Sequence, residues 1–369
     1  MTKTKKILIF NPFGIGDVIF STPLIEMLRE NYPDSEIYYI CNKRVRDVLR
    51  HNPGLKKVFV FEKDEFREML RRSKIRSCVT IGRFLMDIKR LNADLFIDLS
   101  LNFRAALIAK LMGMRRRIGL NYKNRGRFLT GKIDIEGFEG KHVAYHYMDV
   151  LKLAGIGQSN CYPKAYVGAE DEAWAENFFR EAGLTGSHIV GIIPGGGRSW
   201  GADSRYRRWP VSNFAHLTDK ILGAYDCRIM VLGDESEKPL CDNIQKLMKG
   251  SVVNAGGRTT VGQFMALLKR CEFVVCNEGG PLHIAVALDV PTVSIFGPVD
   301  EKVYGPLSAD PDMHIVVSQR LKCSPCYSKF KHTKCELIEC INSLTVEKMY
   351  GAVLSMMENV KRRKYERAK

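Results

Sequence analysis

Four short stretches of this sequence place chemically capable side chains at the ends of β-rich runs. The first, Phe13-Gly14-Ile15-Gly16-Asp17, follows the run Lys6–Asn11. Its two glycines let the chain turn tightly and leave room for a ligand. Asp17 then opens a helical pattern, and two readings fit it. It can cap the helix by accepting from orphan N–H groups, or it can act as a carboxylate base with an oxygen free. The turn is neither a GxGxxG fingerprint nor a Walker loop, since no Gly-Lys-[Ser/Thr] follows.

The second stretch is Pro194-Gly195-Gly196-Gly197-Arg198-Ser199, then Arg207-Arg208-Trp209-Pro210. A glycine-rich strand exit offers backbone N–H groups to a phosphate, and arginines add charge-assisted bonds. A plain surface loop with incidental arginines fits the same residues. In the third, Gly233-Asp234-Glu235-Ser236-Glu237, the acids can accept from ribose hydroxyls or sit at a solvated helix N-terminus. The fourth, Cys276-Asn277-Glu278-Gly279-Gly280-Pro281-Leu282-His283, sets glycines and a proline at a helix start. That exposes the positive end of a helix dipole to a pyrophosphate, with His283 within reach of an oxygen. A divalent ion would need clustered carboxylates. The sole Asp-x-Asp, Asp310-Pro311-Asp312, reads as a surface turn.

The elements that must position these groups alternate strand and helix. Lys6–Asn11, Glu36–Cys41, Lys57–Phe61 and Asp94–Asp98 read as strands, with an amphipathic segment from the first turn to about Asn31. The pattern restarts at His188–Ile193, Arg228–Leu232, Phe273–Cys276 and Thr292–Phe296, after a looser linker near residues 160–175. Two doubly wound α/β units follow, and their ligands belong beyond the carboxyl ends of the strands. Thr345 to Arg367 is helical in pattern and runs into a basic tail.

Length and charge set the outer bounds. The chain has 369 residues, more than one ordinary core accommodates. No long uncharged apolar stretch is present, so a cytoplasmic protein is expected. Lys and Arg number 57 against 41 acids, a net charge of +16. The clusters Arg67–Arg76, Arg115–Arg127 and Lys361–Lys369 suit phosphate-bearing partners, or simply a solvated surface. Of 11 cysteines, Cys323, Cys326, Cys335 and Cys340 have the spacing of a structural zinc or iron site, or of reduced thiols packing a loop.

In their order along the chain these motifs resemble glycosyltransferase family 9, the lipopolysaccharide heptosyltransferases. The matching segments are KILIFNPFGIGDVIFSTPLIEMLR, IIPGGG, RRWP, GDESE and NEGGPLHIAVALDVPTVSIFGP. The last is similar to the family's Asn-Asp-[Ser/Thr]-Gly-Pro-Met-His signature, with Glu278 and Gly279 departing from it. The resemblance implies a GT-B architecture of two facing Rossmann-like domains with parallel sheets. Residues 1–165 would bind the acceptor and 166–344 the nucleotide sugar, with 345–369 a C-terminal helix and basic tail.

It also implies roles. Asp17 matches the proposed catalytic base. Gly195, Gly196, Arg207, Glu235, Glu278, Gly279, Gly280 and His283 fall on the donor side, Arg207 where relatives carry a phosphate-binding lysine. Gly14, Gly16, Arg115 and Arg117 fall on the acceptor side. The implied reaction is inverting and metal-independent, from ADP-L-glycero-D-manno-heptose to the phosphorylated inner core of lipopolysaccharide. No cofactor is required, a structural zinc or iron stays open, and no nucleic acid partner is expected. Peripheral contact with the anionic inner face of the inner membrane is compatible with the charge. Another nucleotide sugar, a protein acceptor, or a nucleotide- or glycolipid-binding protein without turnover remain alternatives. Nicotinamide chemistry is disfavoured by the missing glycine fingerprint.

Overall fold

The computed structural model describes residues 5–62, 71, 74–157, 159–197 and 200–367. The chain divides into two compact units. One comprises Met1–Phe138 with Val143–Cys161, the other Glu139–His142 with Tyr162–Lys369. The expected linker is partly helical, since the helix Ala169–Glu181 begins inside it.

The first unit is built on β1 (Lys6–Phe10), β2 (Glu36–Cys41), β3 (Lys57–Val60), β4 (Leu95–Asp98), β5 (Arg116–Tyr122) and β6 (Gly131–Ile135). All pair in parallel, in the order β3-β2-β1-β4-β5-β6. Ile7, Leu8 and Ile9 of β1 are fully buried. Their uninterrupted apolar run fits a parallel strand covered on both faces. The segment after the first turn is two helices, Ile15–Phe20 and Pro23–Asn31. Between them the Ser21 and Thr22 hydroxyls donate back to the Val18 and Ile19 carbonyls.

The second unit repeats the plan with β7 (Ile189–Ile193), β8 (Arg228–Val231), β9 (Val252–Asn254), β10 (Phe273–Asn277), β11 (Thr292–Phe296) and β12 (His314–Ser318). Its order is β12-β11-β10-β7-β8-β9, again all parallel. The helix Val346–Arg367 is part of this unit: Met349, Val353, Met356 and Val360 join the core formed by β7, β8 and the helix Val211–Ala224. Each sheet thus has its first strand in the middle, with the chain winding one way and then the other. The switch points lie between β1 and β4 and between β7 and β10, where such folds open a crevice. Both sheets confirm the α/β class. Among the described residues no helix is long and apolar enough to cross a membrane.

Candidate functional site

At the first switch point the turn after β1 delivers Asp17. Its helix starts at Gly14, whose backbone is extended, with no side-chain cap. Asp17 sits in the first helical turn instead, so the capping role does not apply to it. The Tyr147 hydroxyl donates to Asp17 Oδ1 at 3.2 Å. Tyr147 is fully buried on the helix Val143–Asp149, its ring edge-on to Phe138 at 5.4 Å. Beneath the turn, Asn11 Nδ2 donates to the Asp17 carbonyl at 3.1 Å and Asn11 Oδ1 accepts from Phe13 N at 3.2 Å. Ser21 and Tyr39 share a 2.6 Å hydroxyl contact there. Burial raises the Tyr39 phenol far above its ordinary range, so it stays protonated.

The other wall of this crevice is the end of β4. Asp98 is 4% exposed and accepts from Ser100 N at 2.9 Å. Burial pushes its carboxyl up to about 6, against the lowering effect of its Ser100 hydrogen bonds. The sequence reading passed over both Asp98 and Tyr147. Of the expected acceptor residues, Gly14 and Gly16 frame the Asp17 turn, whereas Arg115 is exposed but immediately precedes β5, at the amino edge of the sheet and away from that turn. Arg117 must be corrected. Its guanidinium is buried and donates to the carbonyls of Phe128 (2.8 Å), Arg115 (3.1 Å) and Met114, so it holds the chain around β5 and is not offered to a ligand.

At the second switch point the exits of β7 and β10 touch. Asn277, fully buried, donates to the carbonyls of Pro194 (2.7 Å) and Gly195 (3.3 Å) and accepts from Trp209 N at 3.0 Å. Gly279 has φ +144°, and a Cβ there would lie 2.1 Å from the Gly196 carbonyl oxygen. A hydroxyl side chain at 279 is therefore incompatible with how closely these loops approach. Gly280 and Pro281 open the helix Gly280–Ala287, whose N-cap Gly279 packs against the glycine loop after β7. Arg198 and Ser199 lie outside the described residues.

Arg207, Glu278 and His283 form a buried polar group here. Arg207 Nη1 donates to Glu278 Oε2 at 2.8 Å, and His283 Nε2 stands 3.8 Å from Glu278 Oε1, an electrostatic contact longer than a hydrogen bond. Burial alone would raise the Glu278 carboxyl. The Arg207 and His283 charges override it and hold the group at about 2. The expected direct reach of Arg207 to a phosphate is modified accordingly, because one edge of its guanidinium is committed to Glu278. The Trp200 ring covers Arg207 at 4.5 Å. His332 stacks on Trp200 at 5.1 Å and Tyr327 tilts against it at 5.1 Å. His332 Nε2 also meets Asp203 Oδ2 at 2.9 Å. None of these rings was singled out in the sequence.

At the exit of β8 the acids divide their work. Asp234 caps the short helix Glu235–Glu237, and Glu235 is exposed. Glu237 is buried. Its Oε1 accepts from Gly197 N at 2.9 Å, which ties the β8 exit to the glycine loop, and a Cβ on Gly195 would collide with it at 1.9 Å. The spacing Asp234-x-x-Glu237 is a capping box, a signal present in the sequence.

Cys323 and Cys335 are exposed, Cys326 and Cys340 half-buried, and all four are free of disulfides. Burial pushes the Cys340 thiol up to about 11, with further upward shifts from Cys326, Cys323 and Cys335. Among the described residues the four sulfurs form no group of three or more within 4.8 Å of one another. Asp310 and Asp312 form exposed ion pairs with Arg363 (3.8 Å) and Arg362 (3.5 Å) of the C-terminal helix. The basic cluster Arg67–Arg76 falls largely outside the described residues.

Two Rossmann-ordered parallel sheets, one with a carboxylate and the other with glycine turns at its switch point, are the plan of a two-unit α/β protein. The model of glycosyltransferase family 9 (heptosyltransferase) matches residues 81–336. The chain belongs to that family and is a glycosyltransferase. Lipooligosaccharide heptosyltransferase 2 of Campylobacter jejuni is 24% identical over 361 residues, covering 96% of this chain and 99% of the relative. A family 9 glycosyl transferase from Veillonella parvula superposes with a TM-score of 0.79 at 23% identity, over 97% of this chain and 99% of that one. The ADP-heptose lipopolysaccharide heptosyltransferase II of Escherichia coli gives 0.74 at 19% identity, over 96% and 99%. These two structures share its fold.

Proposed function

We propose that this enzyme transfers heptose from ADP-L-glycero-D-manno-heptose to the inner core of lipopolysaccharide, inverting the anomeric centre without a catalytic metal. The observation that carries the reading is the Asp17 carboxylate in the first turn of its helix, met by Tyr147 at the β1–β4 switch point. Such a group accepts the proton of an acceptor hydroxyl as that oxygen attacks the anomeric carbon. The new C–O bond forms as the bond from carbon to the diphosphate oxygen breaks, and ADP departs. A single displacement of this kind inverts the centre.

Charge grows on the leaving diphosphate. On this reading the N-terminus of the helix Gly280–Ala287 and His283 supply the dipole and donor fixed in advance, beside the glycine loop 195–197, whose Gly197 N–H is already held by Glu237. Arg207 supports them through its buried pair with Glu278, and Glu235, exposed at the β8 exit, is available to the nucleoside. Gly14 and Gly16, in the turn beside Asp17, suit close approach of an acceptor. On this reading, charge neutralised this way takes the place of a divalent ion.

The test is a donor screen with product read by mass spectrometry, using truncated core acceptors in the presence and absence of EDTA. Addition of one heptose from the ADP-sugar, unchanged by EDTA, supports the reading. Preference for a UDP- or GDP-sugar, or donor binding without any product, would replace it.

The cysteine segment carries a second, separate proposal: Cys323, Cys326, Cys335 and Cys340 hold a structural zinc or iron. Four free thiols at this spacing along the chain suit a tetrahedral thiolate set. Metal analysis of the purified protein, with Cys326→Ser as comparison, decides it. A stoichiometric ion lost in the variant is expected, and metal-free wild type rejects the site.

A further inference from the structure

Between residues 99 and 133 the chain carries nine Lys and Arg and no Asp or Glu. Arg116 and Arg117 of this stretch donate to backbone carbonyls and hold the fold. Five others, Arg104, Lys110, Lys123, Arg125 and Arg127, are exposed. Among the described residues none of the five forms an ion pair; each lies over an aromatic ring instead. Arg127 covers Phe103 at 4.4 Å and Phe128 at 5.1 Å. Lys110 lies 5.8 Å from Phe128, and Lys123 and Arg125 lie 5.1 and 5.7 Å from Tyr122. Phe103 and Phe128 are themselves neighbours at 6.3 Å. The helix Phe103–Leu111 and the loop from Tyr122 to Phe128 therefore form one face of cations and rings.

Bare apolar groups accompany these charges. Ile108 is 42% exposed and Leu111 77% exposed. With Arg104 they occupy helix positions spaced by four and three residues, on a single side. A polyanion such as RNA would reward the cations and gain nothing from an exposed leucine. A bilayer with anionic headgroups rewards both, the charges at the headgroups and the leucine below them. The face starts at the carboxyl edge of β4 and β5, the same sheet edge where β1 delivers Asp17.

We propose that the helix Phe103–Leu111 and the loop 122–128 dock this protein on an anionic lipid bilayer, with Leu111 and Ile108 inserted and the five cations among the headgroups. The docking itself does not depend on which sugar is transferred.

Flotation of the full-length protein with vesicles tests it. Phosphatidylcholine vesicles with and without 30% phosphatidylglycerol serve as probes, at low salt and at about 0.15 M salt. Binding to the anionic vesicles alone is expected, weaker at the higher salt. Lys123→Ala with Arg125→Ala should weaken it about 25-fold, since each cation is worth roughly fivefold. Leu111→Ser should weaken binding to vesicles while leaving any binding to single-stranded RNA unchanged. Thermal melting identifies variants that have lost the fold, and donor affinity should be the same in all. No flotation with anionic vesicles, or flotation indifferent to these substitutions, overturns the proposal. So does RNA binding that depends on Lys123 and Arg125 while lipid binding does not. Loss of heptose transfer with docking intact would count against the proposed reaction and leave this surface standing.

Discussion

Arg207 donates to Glu278 at 2.8 Å, with only 4% and 7% of the two side chains exposed. The pair lies at the exit of β10, which ends at Asn277. Removing one partner strands a buried charge, which costs about 3–5 kcal/mol. Glu278→Gln should lower stability by that order near neutral pH, read by urea denaturation. The folded carboxyl at about 2 lies below its ordinary value of 4.5. Its stabilisation is thus present above pH 4.5 and lost as pH falls towards 2. Wild type and variant should converge in that window. A constant gap down to pH 3 would contradict this assignment.

Gly279 stands where the family signature has a hydroxyl residue, and in this chain the Gly196 carbonyl occupies that space. Gly279→Ser should force the two loops apart and weaken donor binding at least tenfold, measured by calorimetry with ADP. Gly279→Ala should do the same, because the obstacle is the Cβ and not the hydroxyl. Unaltered affinity in the serine variant would show that the loops separate freely.

Tyr147 is joined to Asp17 by one hydrogen bond across 130 positions of sequence. Tyr147→Phe keeps the ring packed against Phe138 and removes only the hydroxyl. A bond of this kind is worth about 1 kcal/mol, so kcat should fall roughly fivefold with the donor KM unchanged. A normal kcat would mean that Asp17 is held adequately by its other contacts.

Asp98 has the opposite electrostatics to Glu278. Its folded value of about 6 exceeds the ordinary 3.8, so the folded state favours the protonated form. Its contribution is intact below pH 3.8 and lost as pH rises through 6. Asp98→Asn should raise stability at pH 8 relative to wild type, by up to about 3 kcal/mol, and change little at pH 4. Thermal melts at the two pH values give the comparison. A variant less stable than wild type at pH 8 would show that the charged form is needed.

Legibility in the sequence followed burial. The central strands β1, β2, β4, β7, β8, β10 and β11 are apolar runs ending in glycine or polar turns, so periodicity and composition expose them, as they do β3. The strands overlooked are different. β5 opens with Arg116 and Arg117, which imitate a surface charge cluster until their guanidinium groups are seen capping carbonyls. β6 is an edge strand of alternating exposure, β9 has three half-buried residues, and β12 is also at an edge. At the sites, the turn residues were readable because glycine and proline constrain the chain locally. Tyr147, Trp200 and His332 were not, because their partners are distant in sequence and only the tertiary fold joins them. Glu237 sat in plain view within a capping-box spacing, overshadowed by its exposed neighbour Glu235.

The central claim is that Asp17 accepts the acceptor's proton while the second unit holds the donor. Asp17→Asn keeps the shape of the side chain and removes the base. Turnover of ADP-heptose with a truncated core acceptor, measured beside the dissociation constant for ADP, tests this most directly. The account predicts a loss of at least a thousandfold in kcat with ADP affinity within a factor of two of wild type. An Asp17→Asn enzyme that transfers sugar at a near-normal rate would contradict it.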